Sequence, residues 1–198
     1  MGALLIWISS MAAAEIEYPA LFKVYGIDPD EVLNVRRAPN TSAPIIGALN
    51  PETRNFEVIR TNPAGTWALV NVGEPSGWAS LRFMRLQRKA GNGFHRYIRS
   101  CFGTEPFWNI TFKDGRNAVF ETPEGKLRLS LSPPANALLA GWETAVLGRS
   151  GNGLTVFSFF SKAACDDGMS DPSFGFRGSV VIRGQSPAEY VGCCTLTP

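Results

Sequence analysis

From residue 33 onward the chain consists of short β-type stretches interrupted every few residues by Gly, Pro or Asn, and this spacing limits the fold more than any other feature. The first stretches are Leu33–Arg36, Ile45–Leu49, Phe56–Arg60, Trp67–Val72 and Gly77–Ala79. Breaks fall at Pro39-Asn40, Asn50-Pro51, Asn62 to Gly65 and Glu74 to Gly77, where turn chemistry is strong. No amphipathic pattern of helical period competes with them. Five short strands in about sixty residues leave sheet edges exposed unless the sheet closes, so a small antiparallel barrel is expected.

Strand signals return after Cys101, at Phe107–Phe112, Asn117–Thr122, Leu127–Leu131, Glu143–Leu147, Leu154–Phe160, Ser179–Arg183 and Glu189–Cys193. The turns between them include "KDG" at Lys113, "PEG" at Pro123 and "SGNG" at Ser150. Phe157, Phe159 and Phe160 put aromatic bulk on both faces of one strand, and Trp108 and Phe107 read as core. The expected fold is all-β, with a small barrel followed by a second antiparallel barrel or sandwich.

A length of 198 residues has room for two such units. The expected organisation is an export signal at 1–14, a first unit at 18–88, a basic linker at 89–99 and a cysteine-bearing unit at 100–198. The signal reading rests on the apolar run Ala3–Ile8 followed by Ala12-Ala13-Ala14, which suits cleavage before Glu15, although no Lys or Arg precedes the run. That run is too short to span a bilayer, and no later stretch is apolar enough to do so. Arg88, Lys89, Arg96 and Arg99 make the linker basic around Gly91-Asn92-Gly93, a pattern of a solvated linker that can also meet anionic lipid or an anionic wall polymer. The net charge of only +2 gives no global reason to expect nucleic acid.

An exported chain with four cysteines is read first as a disulfide protein. Cys193 and Cys194 are adjacent on a strand and so point to opposite faces. Joining them to each other would close a strained ring. Cys101 and Cys165 are therefore expected to divide the terminal pair between them, one on each face, with the choice of partner left open.

Two resemblances follow from particular residues. Leu33-Asn34-Val35-Arg36 with Pro39, then Ile46-Gly47, Val58, Trp67 and Gly77-Trp78 resemble, in order, the bacterial SH3 domain (SH3b) of cell-envelope proteins. That resemblance implies an SH3-like barrel that targets peptidoglycan or another envelope component. In the second half, "CFGTEPFW" from Cys101, "CDDGMSD" from Cys165 and the closing "GCC" from Gly192 resemble an uncharacterised bacterial family of exported or membrane-associated proteins. No chemistry is implied by it.

The residues offer few routes to catalysis. The single histidine, His95, falls in the linker, and no Ser or Cys has the setting of an activated nucleophile. A carboxylate pair is the alternative, with Glu105 beside aromatic residues and Asp166, Asp167 and Asp171 in the acidic loop. That loop lacks the spacing of a calcium loop, and the four cysteines lack a zinc knuckle, so no metal and no cofactor is expected. Tyr25, Trp67 and Trp78 are the candidate ligand-binding residues, forming a shallow groove for a peptide or sugar. The expected protein is periplasmic or secreted and binds peptidoglycan or an envelope protein. The alternatives are a glycan hydrolase using Glu105 with an Asp of the 166–171 loop, and a protein inhibitor or assembly partner.

Overall fold

The computed structural model describes residues 16–89, 98–133, 135–136, 142–166, 168, 171–184 and 187–197. Two hydrophobic clusters organise it. The export signal read at 1–14, His95 and Asp167 lie outside the described residues.

The first half has eight strands: β1 (Ala20–Val24), β2 (Leu33–Arg36), β3 (Ile45–Leu49), β4 (Arg54–Val58), β5 (Arg60–Thr61), β6 (Trp67–Asn71), β7 (Ser76–Ser80) and β8 (Met84–Lys89). A 3-10 turn at Leu81–Phe83 precedes β8. The strands form two sheets, in the orders β4-β1-β8 and β3-β2-β7-β6-β5. Period-2 alternation sends Phe22, Leu33, Val35, Val58, Ala68 and Val70 into one shared core. Burying these side chains supplies the driving force that holds the two sheets together.

The second half contains β9 (Ser100–Thr104), β10 (Phe107–Phe112), β11 (Asn117–Thr122), β12 (Gly125–Leu131), β13 (Ala135–Asn136), β14 (Thr144–Ser150), β15 (Thr155–Cys165), β16 (Phe174–Arg183) and β17 (Ala188–Thr195). Neighbours in sequence are neighbours in the sheet, and the β12–β14 and β17–β9 pairings close it into an antiparallel barrel of eight strands. Eight strands enclose a space that side chains can fill. Here Trp108, Ile110, Phe112, Phe120, Phe160 and Phe176 fill it. The turns are set locally. At the β10–β11 hairpin, Asp114 accepts the N–H groups of Arg116 and Asn117 at 2.9 and 2.8 Å, and Gly115 takes a φ of +72° that other residues resist.

Phe107 departs from its expected place in the core. Trp108, Ile110 and Phe112 point inward from β10, so Phe107 has the opposite parity and stands 59% exposed at the tip of the β9–β10 hairpin. Phe157 and Phe159 likewise lie outside the barrel and stack at 6.3 Å, while Phe160 alone from that trio enters the core. Trp142 packs on Phe159 with ring centres 6.1 Å apart, and the Arg177 guanidinium lies 5.7 Å from the Trp142 ring centre.

The halves meet through side chains that leave the first core and enter the second. On β1, Ala20 and Phe22 face their own core while Leu21 points the other way and joins the cluster of the barrel. Its cross-strand neighbour Glu57 also points toward the second half, where it meets Thr195 and Leu196. Asn71 Nδ2 donates to the Ser173 carbonyl at 3.0 Å, and the Ser173 N–H donates to Ser76 Oγ at 2.7 Å, which adds a second, polar contact. Among the described residues no helix is long and apolar enough to cross a membrane.

Candidate functional site

The two disulfides are Cys101–Cys194 and Cys165–Cys193. Cys194 faces the barrel interior and meets Cys101 there, in direct register with it across the β9–β17 pair. Cys193, one residue earlier, faces outward and meets Cys165 at the end of β15. Three glycines make room for this arrangement. A Cβ on Gly178 would collide with Cys194 Sγ, and one on Gly192 would collide with the Phe102 carbonyl. Gly103 lies under the Trp108 indole, whose Nε1 donates to the Val191 carbonyl at 3.3 Å. The strings "CFG", "FW" and "GCC" are thus one packing unit at the closing seam of the barrel.

Four concave surfaces bear on function. In the first half, a groove of about 540 Å³ is lined by Trp67, Phe83, Ile27 and Leu33, with Arg36 and Arg82 and the acids Asp30 and Glu31 among its polar groups. Arg36 is held by a 2.7 Å bond from Nη1 to the Ala43 carbonyl, and the Arg82 guanidinium sits 4.6 Å from the Phe83 ring centre. Of the three aromatic residues expected to share a groove, only Trp67 lines this one. Trp78 has the parity opposite to the buried Gly77 and Ala79 and lies beneath Arg60, 4.9 Å away. Tyr25 is 47% exposed beneath Arg85, at 3.8 Å. Each of these two rings is paired with an arginine instead of with the groove.

The acidic residues of the second half also separate. Glu105 and Asp166 line one cavity of about 460 Å³ together with Thr104, Arg177 and Val191. Asp171 lies in a different one, beside Arg37, Pro75 and Ser76 of the first half. Glu105 and Asp166 are both exposed, and Asp166 Oδ1 accepts the Gly168 N–H at 2.7 Å, an ordinary turn bond. Their sharing of a cavity follows from the Cys165–Cys193 bridge, which fastens the start of the acidic loop beside β9 and β17.

Two features escape a reading of sequence alone. One is a cleft of about 710 Å³ at the junction of the halves, with Leu21, Phe112 and Leu196 as its apolar part and Arg99, Lys113, Asn55, Ser100, Asn109 and Thr111 as its polar part. The other is Glu57, buried at that junction. Thr195 Oγ1 donates to its Oε2 at 2.6 Å and the Leu196 N–H donates to the same oxygen at 2.9 Å. Oε1 is buried and has no hydrogen-bond partner among the described residues. Burial pushes the carboxyl up to about 7, against the opposing pull of those two hydrogen bonds. In "RNFEVIR" the glutamate looks like a solvated strand residue, and only the tertiary contact reveals that its outward face is covered. Among the described residues no three His, Cys, Asp or Glu side chains gather as a metal site would require. Comparison of the chain with protein-family models, curated proteins and solved structures finds no match to any of them.

Proposed function

We propose that the chain is an exported cell-envelope protein that binds peptidoglycan or an envelope peptide through its first half. The observation that carries this reading is the Trp67 groove, a concavity that brings Trp67 and Phe83 together with two held arginines, Arg36 and Arg82, and the carboxylates of Asp30 and Glu31. Such a surface suits a polar, extended ligand, because the ring supplies contact area while the charged groups fix its direction. The resemblance of residues 33–78 to SH3b domains points to the same ligand class. Two disulfides suit an oxidising compartment outside the cytosol.

Sedimentation with purified wall sacculi tests it. The full chain should co-sediment at low salt, and Trp67→Ala should weaken retention roughly 30-fold, as expected of a central aromatic anchor. Because Trp67 is partly buried, Arg82→Ala provides a control at an exposed position and should weaken retention several-fold without affecting folding. No retention of the wild type, or equal retention of both variants, would overturn the proposal.

A second reading, glycan hydrolysis, is favoured by the single fact that Glu105 and Asp166 share a cavity. It requires the wild type to release soluble fragments from sacculi and Glu105→Gln to abolish that release. An intact wall after prolonged incubation removes this reading and leaves binding.

A further inference from the structure

We propose that the cleft between the halves is a second binding site, specific for an anionic saccharide unit. This rests on the envelope-binding reading for its choice of ligand class, and on the cleft itself for its chemistry. With a volume of about 710 Å³ it falls in the range of ligand sites, and like many of them it lies where two units meet.

The lining is one-sided in charge. Arg99 and Lys113 contribute two cations, and among the described residues no carboxylate lines the cleft. Arg99 Nη1 donates to the Lys113 carbonyl at 3.4 Å, which places the guanidinium alongside the lysine. The nearest acid in sequence, Asp114, is occupied with its own turn, accepting the Arg116 and Asn117 N–H groups on one oxygen and Asn117 Nδ2 on the other. These hydrogen bonds hold its carboxyl below the usual carboxylate range.

The remaining polar groups are donors and hydroxyls of the kind that recognise a sugar. Thr111 Oγ1 donates to Asn109 Oδ1 at 3.1 Å, which orients that amide and leaves its nitrogen without a protein partner among the described residues. Asn55 takes a left-handed φ of 55°, an allowed but uncommon setting for asparagine, and its backbone N–H is held by Gln87 Oε1 at 2.7 Å. Its side-chain amide makes no hydrogen bond among the described residues. Leu21, Phe112 and Leu196, at the edge of the barrel core, form the apolar part of the lining. A pyranose ring has an apolar face and a hydroxyl edge, and an anionic substituent would meet Arg99 and Lys113. Neither half builds this cleft alone, since Leu21 and Asn55 come from one and the rest from the other.

The test uses the full-length chain labelled with ¹⁵N and three probes. N-acetylmuramic acid carries a carboxylate, N-acetylglucosamine 6-phosphate carries a phosphate, and N-acetylglucosamine is the neutral ring. At least one anionic sugar should shift the amides of Arg99, Ser100, Thr111, Lys113 and Leu196, with at least tenfold weaker binding of the neutral sugar. Response to the first anion alone identifies a carboxylate ligand, and response to the second alone a phosphate ligand. The doubly substituted Arg99→Gln, Lys113→Gln chain, altered only at exposed positions, should lose tenfold or more in affinity. Equal binding of the neutral sugar, no shift at the cleft with either anion, or unchanged affinity of the double variant would overturn the site. Arg82→Ala should leave these shifts intact. If sacculus binding fails while the cleft responds, the groove reading falls alone; if the cleft is silent while Arg82-dependent sacculus binding persists, the cleft falls alone.

Discussion

Replacing Cys101 and Cys194 together with alanine is expected to lower the unfolding free energy by about 4.5 kcal/mol in the chain-entropy treatment of cross-links. The reason is the 93-residue separation the bridge spans, which ties the first strand of the barrel to its last. Without it, the closing β9–β17 pair must form at the full entropic cost of a loop that long. Replacing Cys165 and Cys193 should cost about 3.5 kcal/mol, because the separation is only 28 residues. Guanidinium unfolding of both double variants measures the difference directly. Losses below about 1 kcal/mol for both would contradict the account of the barrel as closed by its cysteines.

Glu57 should give this protein a pH dependence opposite to that of most carboxylates. Its folded pKa is raised from 4.5 to about 7, so between those values the folded chain keeps a proton that the unfolded chain has lost. Stability from this group is therefore fully present below about pH 4.5, falls as pH rises, and is lost above about pH 7. The fall amounts to roughly 3 kcal/mol. Glu57→Gln should abolish it, because the amide keeps an acceptor for Thr195 Oγ1 and the Leu196 N–H and carries no charge to desolvate. At pH 8 the variant should unfold at higher denaturant concentration than the wild type. Identical pH profiles for the two chains would show that the seam is open to water.

Much of the architecture could be read from alternation and turn residues. The β2, β3, β10 and β11 boundaries coincide with the expected runs because turn residues flank them, and in β2, β10 and β11 the side chains also alternate between the core and the outside. β8 carried the same signal in Met84 and Leu86, but its charged residues read as the approach to a linker. β9 was hidden by its glycine and cysteine, residues that suit a close approach of Trp108 more than strand propensity. The opposite faces of Cys193 and Cys194 followed from strand parity alone. Which face took which partner required the register of β17 against β9, which is set by the whole closed sheet.

The candidate sites were less legible, for a physical reason. Parity places a side chain on a face but does not say what lies over that face. Trp78 and Tyr25 are expected to share a groove with Trp67, yet Arg60 and Arg85 lie over them. Glu57 looks like a solvated strand residue and is instead buried by the other half, as is its cross-strand neighbour Leu21. The cleft around Arg99 belongs to both halves and has no motif in either.

The most direct test of envelope binding is the ¹⁵N spectrum of the full chain titrated with a soluble disaccharide-peptide fragment of peptidoglycan. Shifts are expected at Trp67, Arg82 and Phe83, from the groove of the first half, and a separate set at Arg99, Lys113 and Leu196. Shifts confined to Glu105, Asp166 and Arg177, or no shifts at saturating ligand, would contradict it.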